Sequence, residues 1–187
     1  MTRIVAGRWK GRTLRTPTGT TTRPTGEKMR AALGNALQAT GALEGASVLD
    51  LYAGTGALGL ELVSRGAASL VAVEKDRHAL EVLRANVSAL AAGAPDVVVE
   101  VVAGDVRGAL GGLTGRRFDV VLADPPYDLP DVELIVVLRG IAELLAGGAD
   151  VVVERSVRSG ELDWPTPLEA VRAKRYGDTL LCYGRAQ

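Results

Sequence analysis

The residues best suited to chemistry lie in one short segment, which consists of Asp124, Pro125, Pro126 and Tyr127. The Asp124 carboxylate and the Pro125 carbonyl can each accept a hydrogen bond, and the Pro-Pro step fixes the direction of that carbonyl. The Tyr127 ring offers a face on which a base can stack, an interaction worth roughly 1–3 kcal/mol per base. Two acceptors beside a stacking plane suit a flat exocyclic NH2 group on a nucleobase.

A buried strand must position this segment. Residues 118–123 form a short apolar run, which is typical of a strand buried on both faces of a sheet. The two prolines then end the strand, because proline has no amide hydrogen to donate to a neighbouring strand. Ligands of open α/β sheets bind at the carboxyl ends of strands, so the segment is expected to lie in a binding crevice. A strand that ends in a turn with no catalytic role could have the same residues. The other motifs must therefore decide between a binding site and a purely structural turn.

A glycine-rich loop follows the first predicted strand of the main sheet, residues 47–52. Gly54 and Gly56 let the backbone turn tightly and approach a ligand closely. Asp50 lies four residues before Gly54, and Glu74, at the end of the next predicted strand, lies 20 residues after it. A carboxylate about 20 residues after such a glycine, as Glu74 is, can bind the hydroxyl groups of a ribose. We interpret the loop as a nucleoside-binding site.

The amino-terminal segment is strongly basic. Residues 1–30 carry a net charge of +7 in a chain that is neutral overall, a distribution typical of nucleic-acid-binding proteins. Trp9 lies at the tip of a predicted hairpin, where it can stack on a base while neighbouring cations bind phosphates. Because residues 1–20 contain no acidic and few apolar residues, we expect this arm to be mobile until it binds nucleic acid. The cations of residues 1–24 are Arg3, Arg8, Lys10, Arg12, Arg15 and Arg23.

Composition sets the broad class of the protein. With 187 residues, of which 47% are hydrophobic and 24% charged, the chain has the size and composition of one globular domain. No apolar run approaches the roughly 18 residues that span a bilayer, and no signal peptide is visible, so we expect a cytoplasmic protein without a membrane partner. The single cysteine, Cys182, excludes an internal disulfide, and the single histidine, His78, argues against a metal site or a Ser-His-Asp site.

Helix and strand patterns alternate along the chain and set the fold class. The first helix has an apolar stripe, and Thr25 is a suitable cap at its amino terminus. The alternation predicts a Rossmann-like α/β sheet, mostly parallel, with helices on both faces and a C-terminal antiparallel hairpin. We divide the chain into a small N-terminal β-hairpin arm with a linker, residues 1–24, and a main domain, residues 25–187. Further predicted elements are strands at 69–74, 97–102 and 149–154, a helix from Pro130 to about Ala146, and the hairpin strands 168–175 and 179–183.

Together these motifs resemble the RsmD family of bacterial 16S ribosomal RNA guanine-N2 methyltransferases over nearly the full length of the chain. The two more discriminating stretches are residues 4–12 of the arm and the residues Arg23, Pro24 and Thr25 before the first helix. The segment 124–127 looks like the (Asp/Asn)-Pro-Pro-(Tyr/Phe) motif of enzymes that methylate planar amino nitrogens. Residues 49–61 and 73–76 also match, and these stretches recur across amino methyltransferases.

The resemblance implies a role for each motif. The main domain would be a class I methyltransferase domain whose donor is S-adenosylmethionine, and the segment 124–127 would hold the target guanine. Asp105 would bind the adenine amino group and the Val106 amide a ring nitrogen, although Asp105 also suits a helix cap. The arm would bind 16S rRNA, within a small ribosomal subunit or an assembly intermediate, and the protein would be a monomer. The implied donor-binding residues are Asp50, Gly54, Gly56, Glu74, Asp105, Val106 and Thr25.

Three alternatives remain open at this point. The glycines also satisfy the dinucleotide pattern G-x-G-x-x-G, which would make the chain an NAD(P)-dependent oxidoreductase, although Asp50 and the segment 124–127 favour the methyl donor. A second alternative is methylation of another planar NH2 group, such as adenine N6, cytosine N4 or a protein glutamine. A third is an RNA-binding assembly protein without activity, against which the intact Asp50, Glu74, Asp105 and Asp124 argue.

Overall fold

The computed structural model describes residues 2–17 and 24–187, apart from the side chains of residues 24 and 25. The predicted contacts of Arg23 and of the Thr25 side chain therefore lie outside the described residues. A 3₁₀ turn at Ala142–Leu144 joins the last helix to the strand that follows it. The elements in chain order are β1 (Thr2–Arg3), β2 (Thr13–Leu14), α1 (Pro24–Ala39), β3 (Ser47–Leu51), α2 (Ala57–Ser64), β4 (Ser69–Glu74), α3 (Arg77–Ala91), β5 (Val98–Ala103), α4 (Val106–Gly112), β6 (Phe118–Ala123), α5 (Asp131–Ile141), β7 (Leu145–Ser156), β8 (Leu168–Tyr176) and β9 (Thr179–Ala186).

Within the described residues, seven strands form one sheet in the order β5-β4-β3-β6-β7-β9-β8. The strands from β3 to β7 are parallel to one another, whereas β9 runs antiparallel between β7 and β8. The predicted Rossmann-like class and the C-terminal hairpin are confirmed. Because the chain proceeds from β3 outward to β5 and then continues at β6 on the other side, the strand order reverses between β3 and β6. Such a reversal opens a crevice beyond the carboxyl ends of the two strands.

Helices cover both faces of the sheet. On one face, apolar residues of α1, α2 and α3 pack against strand residues that include Val48, Leu122 and Val152. On the other face, α4 and α5 pack against residues that include Leu49 and Val121. Burial on both faces explains why the central strands are continuous apolar runs without a polar alternation. In the part of the chain that the structure describes, no helix combines the length and apolar character needed to cross a membrane.

The N-terminal hairpin belongs to the folded body, which corrects two of the sequence predictions. β1 pairs with β2, and Ile4, Trp9 and Leu14 are buried in the same apolar cluster as α1 and α2. Trp9 is only 6% exposed, so its ring is not available to stack on a base. The arm is docked rather than mobile, because its three apolar side chains fill a surface provided by the body and need no core of their own.

A buried carboxylate attaches the hairpin to α2. Glu61 is fully buried, and its two oxygens accept hydrogen bonds from the amides of Val5 at 2.7 Å and Ala6 at 3.1 Å. The same carboxylate pairs with Arg65 Nε at 2.7 Å and lies 3.8 Å from Arg30 Nε. Three hydrogen-bond donors, from the hairpin and from α2, therefore converge on one side chain, and a second guanidinium from α1 lies within ion-pair distance.

Close backbone contact completes the attachment of the hairpin. The Arg8 amide donates to the Ser64 carbonyl at 2.7 Å, and the Ser64 hydroxyl donates to the Ala6 carbonyl at 2.6 Å. Gly7 has a φ of 83°, and a Cβ atom at this position would lie 1.8 Å from the Ser64 carbonyl oxygen. Only glycine therefore permits the hairpin to approach α2 this closely.

The region after α5 differs from the sequence prediction. The pattern predicts a helix to about Ala146 that ends at two glycines, whereas α5 ends at Ile141 and β7 already begins at Leu145. Along β6, Phe118 pairs with Leu145 and Val120 pairs with Asp150, so β7 contains a bulge between these pairs. The two glycines lie in this bulge, where an irregular backbone is required.

Candidate functional site

The crevice at the reversal of strand order is the candidate site. It encloses about 400 Å³. A second hollow of about 280 Å³ is lined by Asp50, Gly54 and Glu154 and shares Tyr52 and Asp124 with the crevice. The structure thus brings most of the predicted donor-binding and catalytic residues together. The crevice contains Glu74, Asp105, Val106, Asp124, Pro125, Pro126 and Tyr127.

Glu74 fixes the glycine loop at the wall of the crevice. Its Oε2 atom accepts a hydrogen bond from the Gly54 amide at 2.7 Å, and its Oε1 atom accepts from the amides of Lys75 and Asp76, both at 2.8 Å. Gly54 has a φ of 56° and lines the second hollow, whereas Gly56 caps α2 and lines neither cavity. Glu74 therefore both orders the loop and presents a carboxylate to a ligand.

The amino terminus of α4 faces the crevice. Asp105 caps this helix, because its Oδ1 atom accepts a hydrogen bond from the Gly108 amide at 2.9 Å. The cap uses one oxygen and leaves the other oxygen of this exposed side chain for a ligand. Val106 is the first residue of α4, so its amide has no carbonyl partner within the helix. An acceptor and a donor therefore lie side by side, as the edge of an adenine ring requires.

Asp50 lies beneath the glycine loop. It is 2% exposed, and its Oδ2 atom accepts a hydrogen bond from the Gly59 amide at 3.0 Å. Burial raises the pKa of Asp50 to about 7; the Gly59 bond opposes this rise, and the nearby charges of Asp124 and Glu74 add to it. Asp50 therefore supports the base of the loop in addition to lining the second hollow.

Three carboxylates share one face of the sheet at the ends of β3, β6 and β7. Asp50 pairs in register with Leu122, and Leu122 pairs with Val152. Side chains two residues further along a strand point to the same face, so Asp124 and Glu154 lie on this face as well. All three carboxylates line the second hollow.

The surroundings of Asp124 and Glu154 favour their protonated forms. Asp124 contacts solvent, yet the walls of the crevice displace much of the surrounding water, and this desolvation raises its pKa to about 6. Desolvation also raises the pKa of Glu154 to about 7, with a further rise from the charge of Asp124 and an opposing hydrogen bond to Thr179. Two neighbouring acids of this kind titrate as a pair, which can take up or release a proton near neutral pH.

The segment 124–127 turns sharply at the end of β6. The Leu129 amide donates to the Pro126 carbonyl at 2.9 Å, and the Asp124 amide lies 3.4 Å from the Leu51 carbonyl. Tyr127 is 69% exposed on the wall of the crevice. Its ring is therefore accessible to a base whose amino group is bound beside it.

Sequence reasoning misses three residues of the site. Glu154 is the last residue of the predicted strand 149–154, but its position beside Asp124 follows only from the pairing of β6 with β7. Asn86 is 2% exposed and joins the arm to the glycine loop, since it accepts from the Arg15 amide at 2.8 Å and donates to the Thr55 carbonyl at 2.9 Å. The sequence feature that could have indicated Asn86 is the presence of a polar residue within the apolar stripe of α3. Tyr52 has a φ of 62°, a rare conformation for a tyrosine that no sequence pattern indicates.

The predicted RNA-binding residues of the arm lie apart from the crevice. Arg8 pairs with Asp96 at 2.8 Å, and Arg12 donates to the Ala89 carbonyl at 3.0 Å, so two of these cations already have partners in the body. None of the described arm residues lines either cavity. The remaining cations of the described arm, all with exposed side chains, are Arg3, Lys10 and Arg15.

Comparisons with known proteins find relatives over nearly the full length of the chain. The profile of a family described as conserved hypothetical protein 95 matches residues 2–185. The chain is 35% identical over 160 residues to ribosomal RNA small subunit methyltransferase D of Escherichia coli, which covers 84% of this chain and 76% of that protein. It is 30% identical over 180 residues to the putative rRNA methyltransferase YlbH of Bacillus subtilis, with 95% of each chain covered. The solved structure of the putative methyltransferase yhhF from Escherichia coli has a TM-score of 0.81 at 30% identity and covers 99% of this chain and 97% of its own.

Proposed function

Because the chain belongs to the RsmD family of ribosomal RNA methyltransferases, we propose that it transfers a methyl group from S-adenosylmethionine to the exocyclic N2 atom of a guanine in 16S ribosomal RNA. The enzyme class, the rRNA substrate and the methyl donor follow from the family, and the oxidoreductase alternative is excluded. The guanine N2 acceptor and the roles of individual residues are our proposal.

One observation supports these roles above all others. The Glu74 carboxylate, suited to a ribose, and the acceptor pair of Asp124 and Pro125, suited to an amine, line the same crevice. A nucleoside donor and a planar amine can therefore meet in one cavity, which is the condition for direct transfer. Asp105 and the Val106 amide fit the edge of the donor's adenine ring.

The protein prepares the acceptor amine for attack. S-adenosylmethionine, when bound, supplies an electrophilic methyl group, whereas the lone pair of guanine N2 is delocalised into the base. Asp124 and the Pro125 carbonyl accept the two hydrogens of N2, which directs the lone pair out of the ring plane. Tyr127 stacks on the base, which must leave its own stack to enter the crevice. Positioning of this kind supplies much of the rate.

Asp124 and Glu154 receive the proton that the reaction releases. N2 gains the methyl carbon as the methyl–sulfur bond of the donor breaks, and the nitrogen, now positively charged, must lose one proton to become neutral. Asp124, which is bound to this nitrogen, accepts the proton. Glu154 lies beside Asp124 and is held by Thr179, so the proton can be shared within the pair before it returns to solvent.

Methyl transfer to RNA from a strain that lacks the gene tests this function. Tritium-labelled S-adenosylmethionine would be incubated with the protein and with small ribosomal subunits or their extracted rRNA, and the labelled nucleoside would be identified. We expect label in N2-methylguanosine, and none when the RNA comes from a strain that carries the gene. Label in N6-methyladenosine would show that the acceptor is adenine N6 and not guanine N2. The absence of label from both substrates would refute the activity.

We also propose how the substrate is presented. A target guanine in a loop or in an incompletely assembled small subunit would leave its stack more easily than one in a helix. We propose that the protein acts there as a cytoplasmic monomer, with residues 1–24 contributing to RNA binding and residues 25–187 to donor binding and transfer. This division concerns function, since the hairpin and the main domain share one apolar cluster.

Replacing Glu74 by alanine should weaken S-adenosylmethionine binding by roughly 1.5–3 kcal/mol, because charge-assisted hydrogen bonds to the ribose and to the Gly54 amide are lost. Calorimetry would measure the affinity. Glu81→Ala, which removes an exposed glutamate from α3, serves as the control and should bind the donor normally. An unchanged affinity in folded Glu74→Ala protein would remove Glu74 from the donor site.

The turnover rate should rise with pH through the titration of Asp124 and Glu154 and then level off, because the carboxylate form accepts the hydrogens of the amine. The pKa values of these groups are raised to about 6 and about 7, so the rise falls near neutral pH. In Glu154→Gln the neighbouring charge is absent, and the rise should move to lower pH. Profiles of kcat between about pH 5 and pH 9 would measure the shift. Identical profiles for both proteins would contradict the coupling of the two acids.

The same pKa shifts have the opposite effect on stability. Both folded-state pKa values lie above the ordinary carboxyl values of 3.8 and 4.5. Between these ordinary values and the raised values of about 6 and about 7, the native state therefore binds more protons than the unfolded state. The stabilising contribution of the pair is therefore present at acid pH and is lost as the pH rises to about 7. Glu154→Gln should make the free energy of unfolding less dependent on pH over this range.

A further inference from the structure

A strip of cations lies on the edge strand β8. Arg172, Lys174 and Tyr176 alternate along this strand, so their side chains point to the same face of the sheet. In the register of the hairpin, Arg172 lies opposite Tyr183 and Lys174 lies opposite Leu181. Arg172, Lys174 and Tyr176 together are called the β8 strip.

The β8 strip shares its face with the carboxylates of the site. Leu181 pairs with Glu154 on one side and with Lys174 on the other, so these residues form one row across β7, β9 and β8. With about 4.8 Å between neighbouring strands, the Cα atoms of Lys174 and Glu154 lie about 10 Å apart. Tyr176 pairs with Thr179, which is hydrogen-bonded to Glu154. The strip is therefore continuous with the second hollow.

Aromatic rings restrain both cations of the strip. Arg172 Cζ lies 4.4 Å from the centroid of the Tyr183 ring, and Lys174 Nζ lies 5.3 Å from that of Tyr176. A cation held over a ring keeps the N–H groups on its outer side available to an anion. In residues 2–17 and 24–187 neither cation forms an ion pair, unlike Arg8 of the arm. No carboxylate of the described residues is therefore paired with either cation.

Protection of the sheet edge accounts for only part of this arrangement. Cations on an edge strand discourage pairing with other chains. Arg175 on the same strand would serve that purpose equally well, although it pairs with Leu180 and points to the opposite face. Edge protection does not require cations held over rings, nor a row of residues that leads to Glu154.

We propose that the β8 strip binds the phosphates of the single-stranded rRNA that flanks the target guanine, an inference that rests on the proposed function. RNA carries the charge that complements the strip. Asp50, Asp124 and Glu154 bring three carboxylates to the second hollow, and the two cations of the strip would add positive charge beside them, where the RNA backbone passes. The arm cannot take this role alone, because Trp9 is buried and its described cations lie away from both cavities.

The salt dependence of RNA binding tests the strip. The variant with Arg172→Gln and Lys174→Gln would be compared with a control that carries Arg139→Gln and Arg175→Gln, which removes two exposed cations from the opposite face. The probe is a fluorescently labelled single-stranded oligonucleotide with the sequence around the methylated guanine, and its anisotropy is measured over a series of salt concentrations. If each cation of the strip neutralises one phosphate, the log–log slope should become less steep by about 1.4, and binding at ~0.15 M salt should weaken about tenfold.

The control and the methyl-transfer assay separate the possible outcomes. We expect the control variant to keep the wild-type slope, and both variants to keep the wild-type affinity for S-adenosylmethionine in calorimetry. For the strip variant we also expect a raised KM for rRNA with an unchanged kcat. A wild-type slope in the strip variant, or an equal change in the control, would overturn the inference. The RNA-binding measurement thus tests the strip independently of catalysis. A wild-type protein that binds RNA but transfers no methyl group would refute the proposed activity and leave the strip unaffected.

Discussion

Replacing Asp124 by alanine should lower kcat about 10²–10³-fold and leave the affinity for S-adenosylmethionine nearly unchanged. In the proposed mechanism Asp124 accepts a hydrogen bond from the target amine and later takes up its proton, and both interactions would strengthen as positive charge develops on the nitrogen. The proposed ribose contact, Glu74, belongs to another strand and is not altered. Single-turnover transfer with saturating rRNA would measure the rate, and calorimetry would measure donor binding.

Asn at position 124 provides the matched comparison. Asp124→Asn keeps an acceptor oxygen in place but cannot take up the proton, so its rate should lie between those of wild type and Asp124→Ala. The role assigned to Asp124 would be wrong if Asp124→Ala turned over at nearly the wild-type rate. It would also be wrong if donor affinity fell as steeply as kcat, since Asp124 would then belong to the donor site.

Replacing Glu61 by alanine should lower the free energy of unfolding by about 3–5 kcal/mol, the largest effect on stability that we expect. The substitution leaves the buried Arg65 and Arg30 side chains without their carboxylate. It also leaves the amides of Val5 and Ala6 without an acceptor. The hairpin should then detach from α2 and become accessible to proteases. Urea denaturation would measure the stability, and limited proteolysis would report the state of the hairpin.

Glu81→Ala is the control for this substitution as well. Glu81 is an exposed glutamate on a neighbouring helix, and its removal should change the free energy of unfolding by no more than about 0.5 kcal/mol. If Glu61→Ala and Glu81→Ala unfolded at the same urea concentration, the buried carboxylate would not attach the hairpin. A protected hairpin in Glu61→Ala would lead to the same conclusion.

The crevice could be predicted because local rules specify its parts. Prolines must end β6, which places Asp124 at the carboxyl end of a buried strand. The spacing between Gly54 and Glu74 spans one βαβ unit, so parallel pairing brings the two residues to the same edge of the sheet. In each case the residue type and its spacing from neighbouring motifs in the sequence were enough to place the residue in the crevice.

The hairpin and Glu154 could not be placed in this way, because their partners are distant in the sequence. Trp9 was expected to be exposed, yet it is buried. Its backbone amide donates a hydrogen bond to the hydroxyl of Ser64, which lies on a helix more than 50 residues further along the chain. Glu61 lies in a short helix whose pattern does not indicate that a hairpin will cover it. The importance of Glu154 appears only when β7 is known to lie beside β6.

The most direct test of the central claim uses an RNA whose target guanine, once located by nucleoside mapping, is replaced by inosine. Inosine lacks the exocyclic amino group and keeps the rest of the base, so it can still stack on Tyr127 and occupy the crevice. Binding of both RNAs would be compared by anisotropy, and transfer from labelled S-adenosylmethionine would be measured for each. We expect the guanosine RNA to be methylated and the inosine RNA to bind without accepting label. Equal label in both RNAs would show that N2 is not the acceptor.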